Sequence, residues 1–219
     1  MSRPAALLVL LALLTPGCGG GAPSNEQAAD SKRPEAAQPP RPRAPEADIV
    51  RVRLETGAGP ILLALDAKRA PVTSANFLAY VDQQRFDGTT FYRAARTPGA
   101  RGGGLIQGGI NRSYRRMLLP IAHEPTGKTG LRHQAGTISM ARAKPGSAAG
   151  EFFITASAMP KMDSRGGEPG FAAFGRVTDG MDVVRTILAA PTVPNAGRGV
   201  MRGQMIAKPV RIVSARRAD

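Results

Sequence analysis

An alternation of apolar and charged residues at the start of the folded region most constrains what this chain can form. From residue 49 to residue 55, apolar side chains alternate with charged ones, which is the period of a strand buried on one face. Residues 56–59 (Thr-Gly-Ala-Gly) supply a turn, and residues 61–65 continue as an almost unbroken apolar run. The pattern predicts an antiparallel hairpin whose second strand is the more deeply buried one.

Further short runs have the composition of strands, and only two segments have the apolar spacing of a helix. The first helical segment begins at Pro71, which suits the first turn of a helix, and its apolar residues recur at helical spacing up to Val81. The second begins near Met181 and is followed by Pro191. Two helices among about eight strands predict a mainly β domain over residues 49–219. The other strand-like runs are residues 90–93, 105–107, 137–140, 152–155, 172–177 and 210–214.

The first 18 residues have the pattern of an export signal. Arg3 supplies positive charge, and residues 5–14 form an apolar run that is too short to span a bilayer, which needs about 20 residues. Small and turn-forming residues then lead to Cys18, the only cysteine of the chain. This arrangement resembles a bacterial lipoprotein signal, which predicts a signal peptide over residues 1–17 and a lipid on Cys18. The alternative is an ordinary secretory signal that is cleaved nearby.

Residues 18–48 are predicted to be a disordered tether. They are rich in proline, alanine and glycine and contain almost no large apolar residues, so they cannot bury a core. A lipid on Cys18 would hold the protein at the periplasmic face of a bacterial membrane. The resemblance to lipoproteins favours the outer membrane, because Gly19 and not aspartate follows the cysteine. Without the lipid, we expect a soluble periplasmic protein.

The formal charge of +14 lies in residues 49–219, which contain 25 basic and 11 acidic residues. A basic surface attracts anionic partners, but no recognition helix or aromatic RNA-binding motif accompanies it, so we expect no specific nucleic acid partner. The simpler interpretation is an arginine-rich soluble surface. Two histidines and one cysteine supply no metal-ligand cluster, so we expect no metal and no cofactor. We expect a monomer.

Four short motifs follow one another along the predicted strands, and they carry one arginine, one amide and several apolar side chains. Such a set suits a site that grips a peptide and stabilises a polarised amide without covalent chemistry. With two further segments, the motifs resemble those of the cyclophilins, the peptidyl-prolyl isomerases, from about residue 49 to residue 213. The resemblance implies a closed eight-stranded antiparallel β-barrel capped by two α-helices. The motifs are Thr89-Thr90-Phe91-Tyr92-Arg93, Leu105-Ile106-Gln107-Gly108-Gly109, Gly136-Thr137-Ile138-Ser139-Met140-Ala141 and Glu151-Phe152-Phe153-Ile154, with Pro71-Val72-Thr73-Ser74-Ala75-Asn76-Phe77 and Phe174-Gly175-Arg176-Val177 as the further segments.

The resemblance implies isomerisation of X-Pro peptide bonds and assigns the residues that perform it. With the predicted export signal, we expect the substrates to be exported polypeptides. Rotation about a peptide bond must overcome about 18–20 kcal/mol of amide resonance. Arg93 matches the family arginine that donates to the prolyl nitrogen of the twisted amide, and Gln107 matches the glutamine that orients this arginine. The residues alone leave open that Arg93 is one surface arginine among many and that Gln107 makes ordinary strand hydrogen bonds.

The resemblance also assigns a groove for the proline-containing polypeptide. Phe153 and Met162 match apolar walls of the proline pocket, Ala141 matches a small residue of the groove floor, and Arg142 is expected to offer its backbone to the peptide. On the residues alone, each apolar member is equally expected in a core. The predicted substrate-binding residues are Tyr92, Leu105, Ala141, Arg142, Glu151, Phe153, Met162 and Phe171.

Several positions depart from the family pattern, so we expect catalysis that is weaker or directed to other sequences. Six extra residues separate Arg93 from Gln107, and we expect them to loop beside the groove. We also expect the Glu151 carboxylate to compete with the substrate for the donors of Arg93. Leu105 is expected to replace part of a missing pocket wall. The substitutions are Tyr92 for a histidine, Gly104 for a phenylalanine of the pocket wall, Glu151 for a glutamine and Lys161 for an aromatic residue.

Other functions fit these residues less well. A peptide-binding or chaperone-like module that keeps the fold and has lost most turnover is the main alternative. A serine hydrolase is poorly supported, because residues 146–150 lack the spacing of a nucleophile elbow and neither histidine has a triad context in the sequence. Residues 102–104 lack the spacing of a nucleotide-binding loop. The client proteins are not specified by the residues.

Overall fold

The computed structural model describes residues 48–218. The predicted signal peptide (1–17), the predicted lipidation site Cys18 and the predicted tether up to residue 47 lie outside the described residues. Asp48 contacts the domain, because its backbone oxygen accepts a hydrogen bond from the Ala67 N–H at 2.8 Å and its carboxylate pairs with Lys68 at 3.0 Å. In the part of the chain that is described, no helix combines the length and the hydropathy needed to cross a bilayer.

The strands of the described region close into an antiparallel barrel. The bounds are β1 Ile49–Thr56, β2 Gly59–Asp66, β3 Thr90–Arg96, β4 Gly104–Gly109, β5 Thr137–Met140, β6 Glu151–Thr155, β7 Ala172–Asp179, β8 Thr192–Val193 and β9 Met205–Ala218. In spatial order the barrel strands are β1, β2, β7, β5, β6, β4, β3 and β9, and β9 pairs back with β1 to close the ring. The two-residue strand β8 pairs only with β9, so the barrel itself has eight strands, as predicted.

Three α-helices occur among residues 48–218, one more than predicted. The two predicted helices are present as α1, Pro71–Asp82, and α3, Met181–Ala189. The additional helix α2, Thr126–Thr129, is a single turn that starts after Pro125 and ends at Gly130, where φ is 72°. Its four residues are too few to show an apolar period, so the sequence pattern could not reveal it. Two 3₁₀ turns lie at Pro160–Met162 and Gly199–Met201.

Phenylalanine side chains fill the barrel interior. Phe77 of α1 lies among Phe86, Phe91, Phe152 and Phe174, with ring centroids of contacting pairs 5.0–5.7 Å apart. All five rings are fully buried. Tilted and edge-to-face aromatic pairs of this kind stabilise a core beyond the area they bury. Phe91, Phe152 and Phe174 lie in strands, where successive residues alternate between the two faces, so inward-facing phenylalanines leave neighbouring positions for the outer face.

The hairpin between β3 and β4 is longer than the family pattern predicts. β3 continues to Arg96, which pairs with Gly104 at the start of β4. Residues 97–103 form the tip, closed by a hydrogen bond from the Thr97 N–H to the Gly103 oxygen at 3.0 Å. The extra residues between Arg93 and Gln107 therefore lengthen two paired strands and form the loop at their end.

Candidate active site

A β-bulge in β3 places two consecutive side chains, Tyr92 and Arg93, on the outer face of the barrel. The pairing with β4 shifts register between Phe91 and Arg93. Phe91 and Ala94 are both in the core, at 0% and 1% exposure, so the two residues between them share the opposite face. Bulges re-aim side chains in this way and are common next to functional sites. A regular strand would have turned one of the two side chains into the core.

Four residues from four neighbouring strands form one row on this outer face. Arg93 in β3 pairs with Gln107 in β4, Gln107 pairs with Phe153 in β6, and Phe153 pairs with Ser139 in β5. Adjacent strands lie about 4.8 Å apart, so the row brings a guanidinium, an amide and an aromatic ring together from distant parts of the chain. The two residues predicted to be catalytic and one predicted pocket wall therefore share one surface.

A directed chain of hydrogen bonds links Arg93 to Glu151. The Arg93 Nη1 donates to Gln107 Oε1 at 2.7 Å, Gln107 Nε2 donates to the Tyr92 hydroxyl at 2.8 Å, and that hydroxyl donates to Glu151 Oε2 at 2.8 Å. Arginine can only donate and a carboxylate can only accept, so the orientation of the Gln107 amide and of the Tyr92 proton is determined by chemistry. These hydrogen bonds orient the Gln107 side chain so that its Oε1 faces the Arg93 guanidinium.

A second amide holds the other edge of the same guanidinium. The Arg93 Nε donates to Gln204 Oε1 at 2.8 Å, and Gln204 lies directly before β9. Within residues 48–218, no hydrogen bond is found for Arg93 Nη2, which leaves its two hydrogens for a ligand. Gln204 is not part of any sequence motif identified above, and 111 residues separate it from Arg93. Only the pairing of β9 with β3 brings the two together.

Beneath Phe153, a buried polar group supports the aromatic wall. The His133 ring stacks on Phe153 with centroids 5.8 Å apart and planes 14° apart. His133 Nδ1 donates to Asp163 Oδ1 at 2.7 Å, and its Nε2 lies 3.0 Å from the Ser139 hydroxyl. The carboxylate can only accept, so Nδ1 carries the proton and Nε2 accepts from Ser139. No sequence motif assigned a role to His133, because Asp163, His133 and Ser139 come together only in the folded chain.

This set does not form a hydrolase site. A nucleophilic serine must reach the carbonyl carbon of its substrate, and Ser139 is 0% exposed. Burial also lowers the pKa of the His133 imidazole, although the Asp163 carboxylate opposes the shift. Among the described residues, no group of three His, Cys, Asp or Glu side chains could hold a metal ion. The polar set supports Phe153 from below and offers no reactive atom to solvent.

The structure brings three more predicted groove residues around the same aromatic wall. Phe171 meets Phe153 edge to face with centroids 5.4 Å apart, and the guanidinium carbon of Arg142 lies 5.0 Å from the centre of the Phe171 ring. Phe171 N–H donates to the Met162 oxygen at 2.9 Å, so Met162 lies at the same edge. Arg142 also donates through Nη2 to the Gly170 oxygen. An aromatic pair with a cation packed on its outer ring results.

The sequence matches the profile of the family described as "Cyclophilin type peptidyl-prolyl cis-trans isomerase/CLD" over residues 51–217. The chain belongs to this family. Related proteins include the Streptomyces antibioticus peptidyl-prolyl cis-trans isomerase cyp18, 38% identical over 67% of this chain and 87% of the relative. A peptidyl-prolyl cis-trans isomerase of Acinetobacter baylyi is 32% identical over 74% of this chain and 82% of its own length. The expectation of a cyclophilin-type isomerase is confirmed.

A solved structure confirms the cyclophilin fold. A cyclophilin type peptidyl-prolyl cis-trans isomerase of Cryptosporidium parvum, crystallised in the presence of the dipeptide Ala-Pro, superposes with a TM-score of 0.63 at 22% identity. The superposition covers 77% of this chain and 99% of the other. Together with the closed strand order, it confirms the predicted mainly β barrel.

One expectation about this cyclophilin's departures from the family is wrong, and another stays a prediction. At Gly104, φ is +135° and a Cβ would lie 2.2 Å from the Ala95 oxygen, so no side chain fits this backbone and none can form a pocket wall from this position. Glu151 does not compete for Arg93. Its carboxylate accepts hydrogen bonds from the Tyr92 hydroxyl and from the Arg112 N–H at 2.9 Å, and it reaches Arg93 only through Tyr92 and Gln107.

The remaining predicted positions vary in their access to a ligand. Leu105 is 3% exposed, the same fraction as Phe153, and its role as part of a pocket wall stays a prediction. Ala141 is half-buried, and its N–H donates to the Glu151 oxygen at 2.9 Å. Arg142 follows Ala141, and within the described residues no backbone hydrogen bond of Arg142 is found, which agrees with a backbone that is available to a peptide. Lys161 is exposed on the 3₁₀ turn before Met162.

Burial sets the protonation behaviour of the site. It lowers the pKa of the Arg93 guanidinium and raises the pKa of the Tyr92 hydroxyl, the latter helped by the nearby Glu151 charge. Burial also raises the pKa of the Glu151 carboxyl above its usual 4.5, although hydrogen bonds from the Arg112 N–H and the Tyr92 hydroxyl oppose the shift. Tyr92 therefore stays neutral as pH rises and keeps its proton for Glu151.

The raised pKa of Glu151 predicts a pH-dependent effect of Glu151→Gln on stability. The folded protein keeps the carboxyl proton to a higher pH than the unfolded chain, so the stabilising contribution is complete below pH 4.5 and is lost as pH rises through the folded-state pKa. Glutamine is neutral throughout and has no such loss. Urea denaturation from pH 4 to pH 8 should therefore show the variant gaining stability relative to wild type as pH rises. A difference that stays constant with pH would contradict this interpretation.

Proposed function

We propose that this cyclophilin isomerises X-Pro peptide bonds, with Arg93 as the group that stabilises the twisted amide. One observation carries the proposal: the Arg93 guanidinium is half-buried on the outer face, held at Nε and Nη1 by two amides, on the same row as the aromatic wall Phe153. A donor that is positioned before the substrate arrives needs no reorganisation during the reaction.

The chemistry follows from the amide itself. In the planar ground state, the proline nitrogen shares its lone pair with the carbonyl and is a poor acceptor. When the bond twists, resonance is lost, the lone pair returns to nitrogen, and a guanidinium N–H can donate to it. Nη2 of Arg93 supplies that hydrogen, while Phe153 packs against the ring. The interaction is stronger in the twisted state than in either planar isomer, so it lowers the barrier.

Proline-containing polypeptides are the substrates we propose. The Cryptosporidium parvum relative was crystallised in the presence of Ala-Pro, a dipeptide ending in the ring this groove would hold. The rim contributes Arg142, whose guanidinium packs on Phe171.

A proline-peptide isomerisation assay tests the function directly. The protein should accelerate cis-trans exchange of peptides of the form Ala-X-Pro-Phe, measured by NMR exchange or by a coupled protease. A series of peptides that differ at X would show whether the protein prefers particular residues before proline. Binding of these peptides without acceleration on any of them would overturn the enzymatic proposal and favour the peptide-binding or chaperone-like module instead.

We further propose that the protein is an exported lipoprotein and that its substrates are exported polypeptides. Support comes from the sequence: the apolar run of residues 5–14 and the small residues after it end at Cys18. We expect a diacylglycerol-modified Cys18 at the mature N-terminus and enrichment in outer-membrane fractions. Mass spectrometry of the mature protein checks this, with Cys18→Ser as the control that should lose the lipid. An unmodified N-terminus elsewhere would contradict the anchor.

A further inference from the structure

The loop that precedes β9 lies against the guanidinium of Arg93 and is not part of the motifs that identified the family. It spans residues 194–204 and is closed at its base by the pairing of Val193 in β8 with Met205 in β9. Its end is fastened to β3 by a hydrogen bond from the Ala94 N–H to the Gln204 oxygen at 2.9 Å. The residue next to Arg93 in the chain therefore holds the backbone of Gln204 in place.

The side chain of Gln204 makes two hydrogen bonds whose directions are chemically determined. Its Oε1 accepts from Arg93 Nε at 2.8 Å, and its Nε2 donates to the Val200 oxygen at 2.8 Å. Arginine offers only donors and a backbone carbonyl only accepts. If the Gln204 amide were flipped, its NH₂ would face the Arg93 N–H and its oxygen would face the Val200 oxygen, and neither pair could form a hydrogen bond. Gln204 is thus held by the loop on one side and holds Arg93 on the other.

Two contacts on different nitrogens restrict a guanidinium more than one contact does. With Gln107 alone at Nη1, the planar group could still turn about its last side-chain bonds. Gln204 at Nε blocks that rotation, so the plane of the guanidinium and the direction of Nη2 are both determined. Misplacing a reacting group by about 1 Å can cost about 100-fold in rate, so this restriction bears on catalysis.

We propose that Gln204 is a second positioning residue for Arg93, carried by the loop of residues 194–204. It acts through Arg93 and does not itself touch the polypeptide. This inference rests on the proposed role of Arg93 in isomerisation. The loop also presents Val200, which is 87% exposed, two hydrogen bonds away from Arg93 Nε. A shift of this loop at the protein surface would therefore change the orientation of the Arg93 guanidinium through Gln204.

Gln204→Met tests the proposal, because methionine has a similar length and offers Arg93 no comparable acceptor. We expect kcat for a proline peptide to fall about 3- to 10-fold, the effect of losing one hydrogen bond, with KM changed less than about twofold. Gln83→Met is a matched control. Gln83 Oε1 also accepts from an arginine Nε, that of Arg85 at 2.7 Å, but on the exposed surface, so its removal should leave kcat unchanged.

A double-mutant cycle separates positioning from general support of the fold. If Gln204 acts through Arg93, then Gln204→Met should cause no further loss of kcat in the Arg93→Ala background. The proposal would be overturned if Gln204→Met lowered kcat by the same factor in the wild-type and Arg93→Ala proteins. It would also be overturned if Gln204→Met alone had the wild-type kcat.

An NMR measurement keeps the inference testable apart from the activity. The Arg93 Nε–H signal should exchange with solvent slowly in wild type and at least about tenfold faster in Gln204→Met, because an opened hydrogen bond exposes the proton. Were the wild-type protein inactive on every proline peptide, the proposed function would fail while this measurement still decided the role of Gln204. Unchanged exchange in Gln204→Met would overturn that role.

Discussion

Arg93→Ala should lower the isomerase kcat/KM by about 10- to 1,000-fold, the range for removing one preorganised donor. The side chain is the only group on the Arg93–Gln107–Phe153 row that can donate from a positive charge. Arg93→Lys should restore little, because an ammonium on a flexible stem cannot bridge Gln107 and Gln204 and still present a directed N–H. The proline-peptide assay measures both variants.

The fold should survive this substitution. Arg93 is half-buried, and its removal takes away two side-chain hydrogen bonds worth about 1 kcal/mol each, so the free energy of unfolding should fall by no more than about 2 kcal/mol. Arg176→Ala is a suitable control, since Arg176 is exposed on β7 away from this row. Equal turnover in wild type and folded Arg93→Ala would remove Arg93 from the mechanism.

His133→Ala should be the most destabilising substitution at the site, by about 3–5 kcal/mol in the free energy of unfolding. The side chain is buried, and its removal leaves the Asp163 carboxylate, only 7% exposed, without its imidazole partner. The buried Ser139 hydroxyl loses its acceptor, and a cavity opens beneath Phe153. Urea denaturation at pH 7 measures the loss, and kcat/KM of the folded fraction should fall because the aromatic wall loses its support.

The second histidine of the chain is the matched control. His123 is half-buried, and its Nε2 contacts only the Pro169 oxygen at 3.0 Å among the described residues, so His123→Ala should cost less than about 1 kcal/mol. The lowered pKa of His133 also predicts that the free energy of unfolding depends on pH. Its folded-state pKa is lowered, so its stabilising contribution is present above pH 6.5 and is lost as pH falls through the folded-state value. If His133→Ala and His123→Ala lowered the free energy of unfolding by similar amounts, the buried Asp163, His133 and Ser139 would not support the structure beneath Phe153.

Much of the fold could be predicted because apolar periodicity is a local property. The hairpin of β1 and β2 follows from alternation in residues 49–55, and both long helices follow from apolar spacing near Pro71 and Met181. Helix α2 could not be predicted, because one turn lacks a period. The closed barrel came from the family resemblance, since alternation shows which face of a strand is buried and not which strand lies beside it.

At the site, the sequence motifs identified Arg93 and Gln107, and the structure places them in direct contact. The family comparison predicted a lost side chain at Gly104, and the backbone there allows none. The motifs misled at Glu151, because they do not show which atoms meet: its carboxylate accepts from the Tyr92 hydroxyl and does not contact Arg93. Phe171 contacts Phe153, and Met162 accepts a backbone hydrogen bond from Phe171, while the contact of these residues with a polypeptide stays a prediction.

Local order along the chain is enough to predict the long strands, the two longer helices, the family and the residue types that can stabilise a twisted amide. The shared face of Tyr92 and Arg93 becomes evident only in the folded barrel, since a bulge depends on the partner strand. The same holds for His133 beneath Phe153 and for Gln204 against Arg93. Side chains far apart in the chain meet only when the barrel closes, and hydrogen-bond direction and burial are properties of that closed state.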